Sequence, residues 1–286
     1  MTADLPDPAR HCLDTVRAQD HDRWLTLQFA AADDRPALAA LYAFNHEVAK
    51  TRETVSEPML GQIRLEWWRE SLDGIANGQP RKHPVVEALD SVHRDDARTL
   101  PLDDMRALVD AREQDLLDQA PADFDALITY ADATGGRVGT LAVSLCGAED
   151  SLALAAASNV GRAWALTGLL RALAFQAAMQ RSPLPDAELQ QLGIARETLF
   201  RGEFSPDLKP LIRRMARAAA DAIATARSRR CDIPPRARNP LLLAPLAAGY
   251  LKALARADWD PFSAQFDRGA AGRHMRLLWA GARGRF

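Results

Sequence analysis

The sequence predicts an all-α fold, and three observations carry that prediction. Apolar residues recur at three- and four-residue spacing along almost the whole chain, as one face of a helix requires. No run of alternating β-branched residues marks a strand, and abundant alanine favours helix at nearly every step. Connections between the periodic segments are short. No Gly/Ser linker, low-complexity tract or fixed-period repeat divides the chain, so residues 1–286 are expected to form a single domain.

The elements follow in order. Asp34-Arg35-Pro36 predicts a helix start, because proline in the first turn lacks only an N–H that would find no partner there; Leu38, Leu41, Phe44 and Val48 then share a side. Ser56-Glu57-Pro58 opens the next helix, through Leu60, Ile63, Trp67 and Ile75 to a stop at Asn77-Gly78. His83-Pro84 begins a third, running through Val92. Leu102–Leu117, Asp123–Cys146 and a long segment from Ser151 to about Gln180 repeat the pattern. After the Ser182-Pro183 loop come a short helix near Leu189, a long one from Ser205 to about Arg230, and another from Asn239 to Asp258. From Arg268 to the last residue, 286, Arg273, Arg276, Arg283 and Arg285 surround Leu277, Leu278 and Trp279, with no acid after Asp267. Such a basic, apolar tail suits a packed terminal helix, or an element that docks on anionic lipid or an acidic partner.

Composition excludes several classes. Lys+Arg 36 against Asp+Glu 38 leaves a net charge of -2, which argues against a nucleic-acid protein with a basic surface. Cys12, Cys146 and Cys231 are far apart with no CxxC pair, which excludes a disulfide framework and a cysteine-built zinc site and suits a reducing compartment. Met1-Thr2-Ala3-Asp4 has neither the basic nor the apolar region of a secretory signal. The longest uncharged apolar stretch, 239–251, is broken by Pro240 and Pro245 and falls short of the roughly 20 residues of a membrane span. The expectation is a cytoplasmic protein, at most peripheral to an inner membrane. No nucleophile–histidine–acid set, phosphate-cradling glycine loop or HExxH pattern is present.

Four motifs in register carry a family resemblance. They are Asp22-Arg23-Trp24-Leu25 with Arg35-Pro36-Ala37-Leu38 and Leu41-Tyr42-Ala43-Phe44, then YADATGGRVG at 130–139, GRAWALTGLLR at 161–171, and RSPLP at 181–185. Together, from about residue 20 to residue 260, they resemble the squalene/phytoene synthase family. The resemblance implies the isoprenoid-synthase fold, a helical bundle around a deep central cavity. Active members ionise a prenyl diphosphate there with Mg²⁺ ions, held by two aspartate-rich motifs on facing helices.

In this chain those motifs are nearly gone. The first falls on Ala49, Lys50 and Glu53, the second on Ala172, Phe175 and Gln176. Glu53 alone among these is an acid, which cannot hold a cluster of divalent ions, and Lys50 puts positive charge where a cation would sit. The segment Ala43 to Ala49, followed by Val55 to Glu70, resembles the complex I assembly-factor branch of the family, which shares these losses. That resemblance implies a non-catalytic assembly or scaffold role at a membrane respiratory complex, with its subunits or anionic lipid as partners. The alternatives are a prenyltransferase that condenses prenyl diphosphates with an altered site, or a protein that only binds a prenyl lipid or other apolar lipid in the cavity.

The candidate cavity positions are Lys50, Glu53, Tyr130, Arg171 and Gln176. Lys50 with Arg52 and Arg171 would hold a diphosphate or anionic lipid head without metal; the competing reading pairs Lys50 with Glu47 or Glu53 and turns Arg52 to solvent. No catalytic residue, metal ligand set or resident cofactor is expected, and Mg²⁺ enters only with the transferase alternative. His46 beside Glu47 is read as structural before acid/base. Asp103-Asp104 is read as a helix cap, the shared face of Asp115 and Asp118 as a weak metal candidate, and Gly135-Gly136 as a close helix contact or kink at the cavity.

Overall fold

Helix starts obey the capping chemistry of the sequence. Asp123 and Asp150 each accept a hydrogen bond from the backbone N–H three residues on, at 2.8 Å, and proline occupies the first turn of five of the longer helices among the described residues. The computed structural model describes residues 7–55, 57–96, 98–117, 119–266, 270–282 and 286. Ser56, Asp118, Arg268, Arg283 and Arg285 lie outside them.

Helices α1 (Pro8–Gln19) and α2 (His21–Leu27) precede α3 (Arg35–Ala49), whose end tightens into a 3₁₀ turn, Lys50–Glu53. Next come α4 (Pro58–Ala76), α5 (Pro84–His93) and α6 (Leu102–Ala111), the last running into a second 3₁₀ turn, Arg112–Leu116. A single rod follows, made of α7 (Phe124–Ala131), a π-helical turn (Asp132–Gly136) and α8 (Arg137–Leu145). The longest helix is α9 (Ser151–Ala178), about 42 Å at 1.5 Å per residue. Then come α10 (Asp186–Gln191), α11 (Arg196–Phe200), α12 (Lys209–Ser228), α13 (Leu243–Arg256) and α14 (Ala270–Ala282). The described residues contain no strand, as the periodicity required. No helix among them is long and apolar enough to cross a membrane.

Two apolar cores form. One gathers α9, α12 and α13 with α7; the other gathers α1, α3, α4, α5 and α6 with most of α8. The halves meet where the π-helical turn and α8 cross α9, and bare backbone makes that crossing. A Cβ built on Gly161 would lie 2.6 Å from the Gly135 carbonyl carbon and 2.8 Å from Gly136 Cα. Gly135-Gly136 is therefore a close helix contact and a local widening of the helix at once.

Several sequence expectations change in detail. Leu60 and Ile63, placed on the apolar side of α4, are exposed, while Trp68 is buried against Phe44 and Trp67 is half-buried. Asp103 and Asp104 sit in the first turn of α6, where acids suit the helix dipole, but neither caps it; Asp104 pairs with Arg137.

Candidate functional site

A cavity of about 370 Å³ opens between the end of α3, the segments 112–117 and 119–121, α7 with its π-helical turn, and α9. That volume lies within the range of small-molecule pockets. Helix α9 serves it with every fourth residue: Trp164, Gly168, Ala172 and Gln176 share one stripe, and Gln180 continues the spacing just past the helix end. Glycine and alanine on that stripe leave the space, and Trp164, Leu169, Leu127 and Phe200 make its apolar wall. Glu53, Gln114, Leu117, Gln119 and Gln180 line the cavity yet are exposed, so they mark its mouth.

Of the five candidate positions, Glu53, Tyr130 and Gln176 are on the wall and Lys50 and Arg171 are not. Lys50 donates to Glu47 at 2.5 Å, and the other oxygen of that carboxylate takes Arg64 at 2.9 Å. The 3₁₀ turn after Ala49 lets Lys50 fold back one turn to this acid, whereas Arg52 and Glu53 reach the cavity. Arg171 is held elsewhere by a buried acid. Its guanidinium lies 3.8 Å from the centroid of the Tyr250 ring and 3.4 Å from Asp22, which also accepts the Tyr250 hydroxyl at 2.6 Å. The basic pocket expected from Lys50, Arg52 and Arg171 is thus corrected, since two of its three cations are engaged outside the cavity.

Tyr130 is locked in place. Its hydroxyl donates to Asp115 at 2.6 Å and accepts from Arg112 at 3.0 Å, while Arg112 also reaches Asp115 at 3.2 Å. Burial pushes the phenol well above its ordinary range, so it stays protonated and keeps donating at neutral pH. Asp115, read from sequence as a metal candidate, is consumed by this triad. Three further arginines on the wall escaped the list of candidate positions: Arg23, Arg181 and Arg196. Arg181 and Arg23 had a signal, the RSPLP and Asp22-Arg23-Trp24-Leu25 motifs, whereas Arg196 had none; in the structure Arg23 pairs with Asp20 at 2.6 Å and Arg196 with both oxygens of Asp186. His46 is half-buried and faces Lys50 and Glu47; burial first, then Lys50, lowers its pKa.

These residues do not fit the magnesium cluster of the synthase reaction. At the places of the two aspartate-rich motifs the cavity wall offers Ala49, Glu53, Ala172 and Gln176, with Lys50 turned away and Phe175 exposed to solvent. Among the described residues no three His, Cys, Asp or Glu side chains converge as a metal site.

Comparison with known proteins finds both assembly-factor and synthase relatives. Residues 16–278 match the squalene/phytoene synthase family model. The complex I assembly factor 6 of Bos taurus is 28% identical over 260 residues, covering 91% of this chain and 77% of that protein. Phytoene synthase 2 of Solanum lycopersicum is 27% identical over 230 residues, covering 77% and 72%. A dehydrosqualene synthase crystal structure superposes with a TM-score of 0.84 at 18% identity, over 96% of this chain and 95% of that one. A squalene synthase from Alicyclobacillus acidocaldarius gives 0.77 at 19% identity, over 89% and 95%. With the bundle, the central cavity and a family match that spans nearly its whole length, this chain belongs to the squalene/phytoene synthase family.

Proposed function

We propose that this protein is a non-catalytic member of its family that acts as an assembly factor for a complex I-type NADH dehydrogenase. The observation that carries the reading is the cavity wall, where the positions of the two metal-binding motifs hold Ala49, Glu53, Ala172 and Gln176. A diphosphate leaving group needs its charge neutralised as it departs, and a lone glutamate cannot assemble the metal ions that do so. The assembly-factor relatives, matched over most of their length, support the role that remains. On this reading the bundle is a scaffold, its partners are subunits of the respiratory complex, and it works without a bound metal.

Two measurements test it together. Deletion of the gene should lower assembled complex and NADH:quinone reductase activity in membranes, and a Glu53→Ala variant should restore both. Purified protein given farnesyl or geranylgeranyl diphosphate with Mg²⁺ should release no diphosphate. Metal-dependent release that Glu53→Ala abolishes would replace this reading with the transferase one.

A further inference from the structure

The last helix has two faces of opposite use. At about 100° per residue, Leu277 and Ala280 fall on one side of α14 and are buried in the core beside α13. Met275, Leu278 and Trp279 fall on the opposite side, where they are 65%, 54% and 56% exposed. Three large apolar side chains in one arc, turned away from a body already packed beneath them, form a surface that water solvates poorly. Buried Phe286, whose carbonyl accepts from Arg227 at 2.7 Å, gives the chain a second anchor past the helix. The outward face is therefore presented on a fixed element.

The charged side chains on α13 and α14 are all cationic. Arg276 flanks it on one side, its guanidinium resting on the bare backbone of Gly249 in α13, and exposed His274 flanks it on the other. On α13, Gly249, Lys252 and Arg256 share a face at i, i+3 and i+7, and both cations are exposed. Neither α13 nor α14 contains an acid. Of the acids near these helices, Asp22 faces inward to Arg171, Tyr250 and Arg273, Asp258 is held by Lys209 and Arg213, and Asp260 accepts from the Phe262 N–H at 2.8 Å, while Asp267 lies outside the described residues.

We propose that α14 is a membrane-docking helix that lies in the plane of an anionic bilayer, with Met275, Leu278 and Trp279 among the acyl chains and Arg276, Lys252 and Arg256 at the lipid phosphates. An apolar arc bordered by cations, with tryptophan on its edge, matches the boundary between headgroups and hydrocarbon. The cations of α13 and α14 select negatively charged lipid over a neutral apolar partner or a second copy of the same cationic face. Docking is independent of the assembly role, and either can fail without the other.

The test is flotation of the full chain with vesicles of phosphatidylcholine alone and of phosphatidylcholine mixed with phosphatidylglycerol. Binding is expected to the mixed vesicles only, and to weaken as sodium chloride rises. Leu278→Ser with Trp279→Ser should weaken it about tenfold or more, and Arg276→Glu about fivefold. Met59→Ser with Ile63→Ser, on the exposed face of α4, should leave it unchanged. Each variant is first checked by its thermal melt; if the α14 double variant fails to fold, Arg276→Glu decides. Equal binding to both vesicle types, no binding at all, or equal loss from the α4 variant would overturn the proposal. So would a concentration-dependent dimer that Trp279→Ser abolishes in a protein that ignores vesicles.

Discussion

Replacing Gly161 with alanine adds a single methyl group where α9 crosses the π-helical turn. The new Cβ would sit 2.6 Å from the carbonyl carbon of Gly135 and 2.8 Å from Gly136 Cα, whereas carbon atoms in ordinary contact lie about 3.5–4.0 Å apart. The atoms it meets are backbone on both sides and cannot rotate away, so the helices must part by about 1 Å. Overpacking of this kind costs about 1–3 kcal/mol when side chains absorb it, and rigid backbone puts Gly161→Ala near 3 kcal/mol. For a chain of this size that is a fall of about 6 °C in Tm. The control is on the same helix: a Cβ on Gly168 meets nothing within 4 Å, so Gly168→Ala should gain about 0.5–1 kcal/mol from the higher helix propensity of alanine. Urea denaturation and scanning calorimetry of both variants read the difference. If the two behave alike, or Gly161→Ala stays within about 0.5 kcal/mol of the parent, the close crossing does not hold the two halves together and the reasoning fails.

Asp22→Asn should cost about 3 kcal/mol in urea denaturation, because it leaves Arg171 and Arg273 in a largely buried place without their counter-charge. Tyr130→Phe should cost about 1–2 kcal/mol, since Asp115 loses a buried hydrogen bond that Arg112 alone does not replace. Burial lowers the pKa of His46 and of His83 below the ordinary 6.5. In the window just below that value the unfolded imidazoles bind protons that the folded ones refuse, so stability is full above about pH 7 and falls as pH drops. Thermal melts across this range should show the decline, and His46→Gln should flatten it; an unchanged slope would exclude His46 as a contributor.

Much of the bundle was legible because helical periodicity and proline-marked starts act locally. Asp34-Arg35-Pro36, His83-Pro84 and the Ser151 segment each became the helix their residues specify. Helices α2 and α11 are too short for a persistent apolar stripe to announce them, and α1, though 12 residues long, buries only Cys12 and Val16. Apolar spacing also misplaced Leu60 and Ile63, because period reports a face and says nothing of whether another element covers it. The site was half legible. Motif register located the cavity wall through Glu53, Tyr130 and Gln176. The fates of Lys50 and Arg171 were set by Glu47, three residues away in a tightened turn, and by Asp22, 149 residues away in the chain. The first depended on where an α-helix turns 3₁₀, and the second on a distant acid that no local pattern names.

The crossing at Gly135 and Gly161 has a mechanical consequence. Two cores that meet along bare backbone at this crossing, with Trp24 and α8 shared between them, are the jaws of a clamp, and the cavity runs between them, with α3 on one jaw and α7, α9 and α11 on the other. Its bore follows in part from how closely two glycine backbones approach, so any side chain at that crossing would force the two sides of the cavity apart. A molecule or partner that grips both jaws stiffens the whole bundle, whereas one that grips a single jaw leaves the other free to open at its own threshold. Amide hydrogen exchange would register that difference as one protection class or two.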